Sequence, residues 1–148
     1  MHKYIWIFIL GVILSFASCR KPVNFSDDQS LKVNFSNDTI TFDTVFTSLG
    51  SSTRHLMVYN NNDENLKISS IRLQNGNQSQ FSINVDGEAG YDFSDIEIYA
   101  KDSIYIFVKV TINPNDQNSP FFVEEKLLFE TNGNKQEVSL TAFGQNAN

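Results

Sequence analysis

The chain predicts an all-β fold, a sandwich or barrel of antiparallel strands, on three observations. From Leu31 onward, short apolar and β-branched runs are separated by clusters of Asn, Asp, Gly and Ser. No stretch of useful length carries the 3.6-residue apolar repeat of a helix. The runs recur about every 8 to 12 residues, the spacing at which strands and turns succeed one another in sandwiches and barrels. With 148 residues, 41% of them hydrophobic, the chain has material for one core and little for a second.

The N-terminal run stands apart from that core. Ile5 to Leu14 (IWIFILGVIL) is almost unbroken in its apolar character, whereas everything after residue 20 is polar and Asn-rich. A run this short cannot cross a bilayer as a helix, which takes about 20 residues. With a basic start (His2, Lys3, Tyr4) before it and Ser15, Phe16, Ala17 and Ser18 after it, the run predicts a secretion signal over residues 1–18. The plainer reading is a buried N-terminal strand or helix. A segment apolar on all faces and joined to a polar domain by a polar linker has nothing to pack against, which argues against it.

Phe16-Ala17-Ser18-Cys19 resembles the lipobox of bacterial lipoproteins, with Phe16 where that family prefers leucine. The resemblance implies that Cys19 takes a diacylglycerol after cleavage and that the membrane is a partner through this residue. It implies a lipid-anchored cell-envelope location, the outer membrane foremost, on a periplasmic or surface face that the sequence leaves open. Cys19 is the only cysteine, so a disulfide or thiolate zinc site within one copy is excluded. Two or more acyl chains hold firmly where one is marginal, at roughly 0.8 kcal/mol per buried methylene. Loss of residues 1–18 would leave 10 Lys+Arg against 17 Asp+Glu, net −7. An acidic domain is a poor ligand for nucleic acid, and none is expected as a partner.

Residues 19–30 predict a flexible tether, since RKPVNFSDDQS lacks periodicity and carries a proline, serines and adjacent carboxylates. Ser26-Asp27-Asp28 faintly resembles acidic surface-export signals of Gram-negative anaerobes, which usually sit closer to the cysteine. The domain is expected over residues 31–145. Its strands are read at Leu31 to Phe35, Thr39 to Phe46, Arg54 to Asn60, Leu66 to Gln74, Phe81 to Val85, Ser94 to Ile98, Ser103 to Ile112, Phe122 to Thr131 and Gln136 to Phe143.

Alternation justifies the clearest of these. Ile104, Ile106, Val108 and Val110 fall on one face of their strand, with Tyr105, Phe107, Lys109 and Thr111 on the other. Val138, Leu140 and Ala142 alternate with Glu137, Ser139 and Thr141 in the last strand. Half-wet strands of this kind belong to antiparallel sheets. The connectors 60–65, 75–77 and 132–134 supply Asn and Gly, which tolerate the positive φ of hairpin turns.

The order of these features resembles the ASH/Hydin-like and choice-of-anchor immunoglobulin-like modules, related in fold to PapD chaperones and major sperm protein. The resemblance covers about residues 31 to 145. It rests on RHLMVYN (54–60), LKISSIRL (66–73), Phe81-Ser82-Ile83, Ala100-Lys101-Asp102-Ser103 leading into IYIFVKVTINP, KLLFETN (126–132) and Val138 to Gly144. It implies an immunoglobulin-like antiparallel β-sandwich of about 7–9 strands. Residues 41–60 also look like the N-terminal module of secreted lipoproteins that continue into a parallel β-helix. A truncated front of such a longer protein is therefore an alternative, as no β-helix follows in this sequence.

Candidate chemistry is sparse. Past the signal, the chain has one histidine, His55, expected on a strand surface, and no second cysteine, so no catalytic set is expected. Glu124 and Glu125 are strand neighbours on opposite faces and read as a solvated strand start. Asn113, Asn115, Gln117 and Glu124 fit an EF-hand-like register, but Asn118 replaces the glycine and no aspartate contributes, so no metal is expected. No cofactor is expected either. A sugar platform would need Tyr59, Tyr91, Tyr99 or Tyr105, since Trp6 leaves with the signal. Asp38-Thr39-Ile40, Asp43-Thr44-Val45 and Asp102-Ser103-Ile104 match an Asp-Ser/Thr-aliphatic pattern of periplasmic O-glycosylation, at Thr39, Thr44 and Ser103. The plainer reading is that Asp caps turns before strands. The expected function is a non-catalytic binding or spacer module, with protein contact ahead of glycan contact.

Overall fold

The computed structural model describes residues 22–46, 52–111 and 121–145; the signal segment, Cys19 and most of the loop with the EF-hand-like register lie outside them. The strands are β1 (Asn34–Phe35), β2 (Thr39–Phe46), β3 (Thr53–Tyr59), β4 (Leu66–Leu73), β5 (Phe81–Val85), β6 (Glu88–Gly90), β7 (Asp92–Ile98), β8 (Ser103–Val110), β9 (Phe121–Thr131) and β10 (Asn134–Gln145). They form two five-stranded sheets, ordered β1-β3-β8-β5-β6 and β2-β10-β9-β4-β7. The architecture is the expected immunoglobulin-like β-sandwich.

Alternation builds the core. On β8, Ile106, Val108 and Val110 are buried while Tyr105, Phe107 and Lys109 face out. The second sheet answers with Leu127 and Phe129 on β9 and Val138, Leu140 and Ala142 on β10. A bulge between Ile68 and Ser70 on β4 resets the two-residue period, so that Ile68 and Ile71 both point inward. Two aromatic pairs tie the layers: Phe42 to Phe81 with ring centroids 5.8 Å apart, and Phe35 to Phe129 at 4.6 Å.

Three differences from the sequence reading have physical causes. The pairing of β2 with β10 is parallel, from Ser139↔Thr39 to Gln145↔Phe46, whereas every other registered pair is antiparallel. Side-chain alternation is the same for both directions, so periodicity is silent on this point. Of the expected hairpins, only Asn132-Gly133 is one, with φ of 51° and 77° joining β9 to β10. The connectors after β3 and β4 instead cross between sheets, and the second carries a single 3-10 turn, Gly76–Gln78. The tenth strand, β6, hangs on a hairpin at Asp86-Gly87, with φ of 49° and 91°.

Two buried polar side chains fasten these crossings. Asn60 Nδ2 donates to the carbonyls of Glu64, Ile98 and Tyr99 at 2.8, 3.1 and 3.1 Å, and its Oδ1 accepts from Asn62 N at 3.1 Å. Glu125, read from sequence as solvated, is buried. Its Oε1 accepts from Asn75 N at 2.8 Å and its Oε2 from Ser79 Oγ at 2.5 Å, which clamps the β4–β5 crossing onto β9. Parity explains the difference, since Glu125 shares the inward face with Leu127 and Phe129.

Residues 22–30 lie against the sandwich. Ser26 N donates to Asn65 O, Asn132 Nδ2 to Asp28 O and Asn134 Nδ2 to Gln29 O, each at 2.8 Å. The Asp28 carboxyl is held below its ordinary range by the Ser30 backbone N–H, 2.8 Å away, and by the Ser30 hydroxyl.

Candidate functional site

The outer face of the first sheet carries the most distinctive group of exposed side chains. Residues of odd number on β8 point outward, and antiparallel pairing sets His55 opposite Phe107 and Met57 opposite Tyr105. The Tyr105 and Phe107 rings are within 16° of parallel, with centroids 6.4 Å apart, and they remain 49% and 47% exposed. His55 lies at 6.1 Å from Tyr105. Asn84 on β5, opposite Phe107, borders the group on the far side.

Beside these rings is a concavity of about 360 Å³, lined by Asp86, Gly87, Ser103, Ile104, Tyr105 and Phe107. Its floor is apolar, and its rim supplies a carboxylate and a hydroxyl. The positive φ of Asp86 and Gly87 folds the β5–β6 hairpin into one wall. Such a site can take apolar or amphipathic groups by ring contact and orient them by hydrogen bonding. Covering a half-exposed ring of this size stabilises a complex by an amount on the order of 1–2 kcal/mol.

Among the described residues there is no comparable convergence of reactive groups. Among the described residues, no group of three or more His, Asp or Glu is placed to hold a metal ion. His55 is exposed mid-strand, and the neighbouring Arg54 pairs with Asp43 at 3.2 Å. Glu124 faces solvent while Glu125 is committed to the β4–β5 crossing, so the two carboxylates share no site. The second sheet's outer face has a shallow depression of about 280 Å³ bordered by Arg72, Glu130, Lys135 and Glu137. It presents opposite charges in the open, where water screens them.

Of the sequence-derived candidates, Thr39 and His55 line one concavity of about 420 Å³ with Thr41, Thr53 and Arg54, whereas Ser103 lines another. Thr39 is exposed at the start of β2, Thr44 lies on the same strand with its side chain outside the described set, and Ser103 is half-buried at the mouth of the concavity. Asp102 Oδ1 accepts from Ser103 N at 2.7 Å, the turn-capping contact that its sequence position allows. Of the four tyrosines, Tyr59 is half-buried with its hydroxyl 3.2 Å from Met57 Sδ, and Tyr99 packs near Phe25. Tyr91 is exposed in the link between β6 and β7. Only Tyr105 belongs to an aromatic group on the sheet face, and its partner Phe107 was legible from the same alternation. A second exposed pair, Phe122 and Phe143, sits directly cross-strand on the other sheet at 5.1 Å.

No family model matches the chain, and no curated protein matches it. Solved structures share its fold. It is similar to a protein of unknown function from Porphyromonas gingivalis W83, at TM-score 0.58 and 10% identity, covering 75% of this chain and 46% of that one. It is also similar to the ASH / PapD-like domain of human CEP192 (PapD-like domain 7), at TM-score 0.51 and 14% identity over 89% and 95% of the two chains. A third likeness is to a family 123 glycoside hydrolase from Clostridium perfringens, at TM-score 0.50 and 9% identity, over 79% and 28%. This chain thus spans less than half the length of the first and third of these proteins. Identities this low show a common sandwich and carry no activity across.

Proposed function

We propose that this protein is a lipid-anchored, non-catalytic binding module of the cell envelope, held at the outer membrane through Cys19 and contacting an envelope protein. Support for the anchor comes from the sequence: a secretion signal running into a lipobox-like Phe16-Ala17-Ser18-Cys19 and no other cysteine. The observation that carries the binding role is the half-exposed Tyr105–Phe107 pair beside its concavity. Aromatic side chains standing in solvent are enriched at the centres of protein interfaces. Sheet edges add a second route, since sandwiches recruit extended peptides by strand addition. Glycan binding is the rival that the same rings favour, because parallel aromatic faces also stack on sugars. Modification at Thr39, Thr44 and Ser103 would add hexose mass to the mature chain.

Crosslinking in whole cells, comparing wild type with a Tyr105→Ala/Phe107→Ala variant, tests the reading. A crosslinked envelope protein lost in the variant is the expected result. Binding of the mature domain on a glycan array, with crosslinking unchanged, replaces protein by sugar. If neither effect is seen, the face is not a binding site. Intact mass and fractionation beside Cys19→Ala test the anchor separately.

A further inference from the structure

The chain joins the sandwich at one end. Asn65 Nδ2 donates to Asn24 O at 3.0 Å, and Ser26 N returns a bond to Asn65 O at 2.8 Å. Phe25 packs on Tyr99 with ring centroids 6.2 Å apart, and Lys67 Nζ stands 4.9 Å over the Phe25 ring. Asn65 belongs to the β3–β4 connection, Tyr99 to the β7–β8 turn, and the Asn132-Gly133 turn lies at the same end, bonded to Asp28.

Five residues lead from Cys19 to Asn24. Fully extended they reach about 17 Å, whereas the twelve residues of β10 alone run about 40 Å. An acyl group on Cys19 therefore keeps this end, and not the opposite one, beside the lipid.

We propose that this end is a membrane-docking surface, with the Val23 and Tyr99 side chains entering the headgroup layer and Phe25 seated behind them. Val23 and Tyr99 are 54% and 47% exposed, and an amphipathic tyrosine ring suits the boundary between acyl chains and water. Lys67 and Lys101 at this end are paired with Glu97 at 3.7 Å and Asp63 at 3.0 Å, so much of their charge is locally balanced. Exposed Asp27, Asp28, Glu64 and Asp102 belong to the segments at this end, with exposed Lys32 among them and Arg20 and Lys21 following Cys19 in sequence, so the charges are close to balanced and the contact fits zwitterionic headgroups. The inference rests on acylation of Cys19. Its consequence is orientation: the Tyr105–Phe107 face runs along the membrane normal, open to a partner from the side.

The test uses processed, acylated protein carrying Glu64→Cys or Asn77→Cys. Acylation consumes the Cys19 thiol, so a maleimide fluorophore marks only the new cysteine. Glu64 is exposed at the proposed docking end, and Asn77 lies on the β4–β5 crossing at the other. In phosphatidylcholine vesicles containing a headgroup spin-labelled lipid, quenching at position 64 is expected to exceed that at 77 several-fold. It is expected to fall when Val23→Ser and Tyr99→Ser are added, while the protein still sediments with the vesicles. Equal quenching at both positions, or no response to the serine pair, overturns the docking surface. Protein that lacks acyl mass and fails to sediment overturns the anchor itself, a separate readout.

Discussion

The carboxamide of Asn60 is wholly buried, and each of its hydrogen-bonding atoms is used. Asn60→Ala leaves three carbonyl oxygens without that donor, and a cost of about 3 kcal/mol is expected from the unsatisfied groups. Asn60→Asp should cost more despite its matched shape, because it turns a donor into an acceptor facing carbonyl oxygens. Urea unfolding checks both, with the midpoint falling and the slope unchanged. Glu125→Ala removes the acceptor for Asn75 N and Ser79 Oγ and is expected to cost about 2 kcal/mol. Glu125→Gln, which retains one acceptor and lets the serine hydroxyl rotate, should cost clearly less. The position of Glu125 was legible in part: inward parity with Leu127 and Phe129 marks it as buried, but only the fold supplies the partners that make burial tolerable. Asn60 looked like one more turn residue, since nothing in a single sequence shows which carbonyls will converge on it.

At the scale of elements, alternation located nine strands but not every end: the strand read over Leu31 to Phe35 pairs only at Asn34–Phe35, and the one read from Ser94 starts at Asp92. The missing strand, β6, is three residues long and too short to show a period, although Asp86-Gly87 is itself a hairpin signal. The parallel β2–β10 pairing and the crossings between sheets after β3 and β4 were not legible, because they depend on which distant strand completes a sheet. The two hairpins offer a contrast that can be measured. Gly133 at φ 77° and Gly87 at φ 91° both occupy backbone that disfavours a Cβ, with open space around it or only ordinary contact. Each Gly→Ala change therefore carries a similar strain of about 1 kcal/mol. The consequences should differ: Gly133 joins strands registered over eleven pairs, Gly87 over three. Hydrogen exchange in Gly87→Ala is expected to speed up only around β6, leaving global stability nearly unchanged. Gly133→Ala should lower the protection of β9 and β10 together and move the unfolding midpoint. Uniform effects from both would show that β6 unfolds only with the whole sandwich.

Across the whole molecule, two exposed aromatic pairs stand on opposite outer faces, and their structural contributions should separate. Phe122 and Phe143 are direct cross-strand partners, 5.1 Å apart, near the open end of the β9–β10 ladder. Pairs of this kind contribute about 1 kcal/mol to a sheet. Tyr105 and Phe107 lie along one strand with centroids 6.4 Å apart, and each leaves about half its surface in water. The Phe107 backbone is already paired on both sides by β3 and β5, and that of Tyr105 by β3, so the strand does not depend on ring contact. Phe143→Ala is therefore expected to lower unfolding free energy by about 1 kcal/mol, and Tyr105→Ala/Phe107→Ala by no more than about 0.5 kcal/mol per site. Urea melts of the two variants beside wild type decide it. If the Tyr105/Phe107 variant is as stable as expected, the rings add little to the fold, and retaining two large apolar groups in solvent is accounted for by contact with something outside the chain. A loss clearly larger than that of Phe143→Ala would make the face structural, and the binding role would then have to move to the sheet edges.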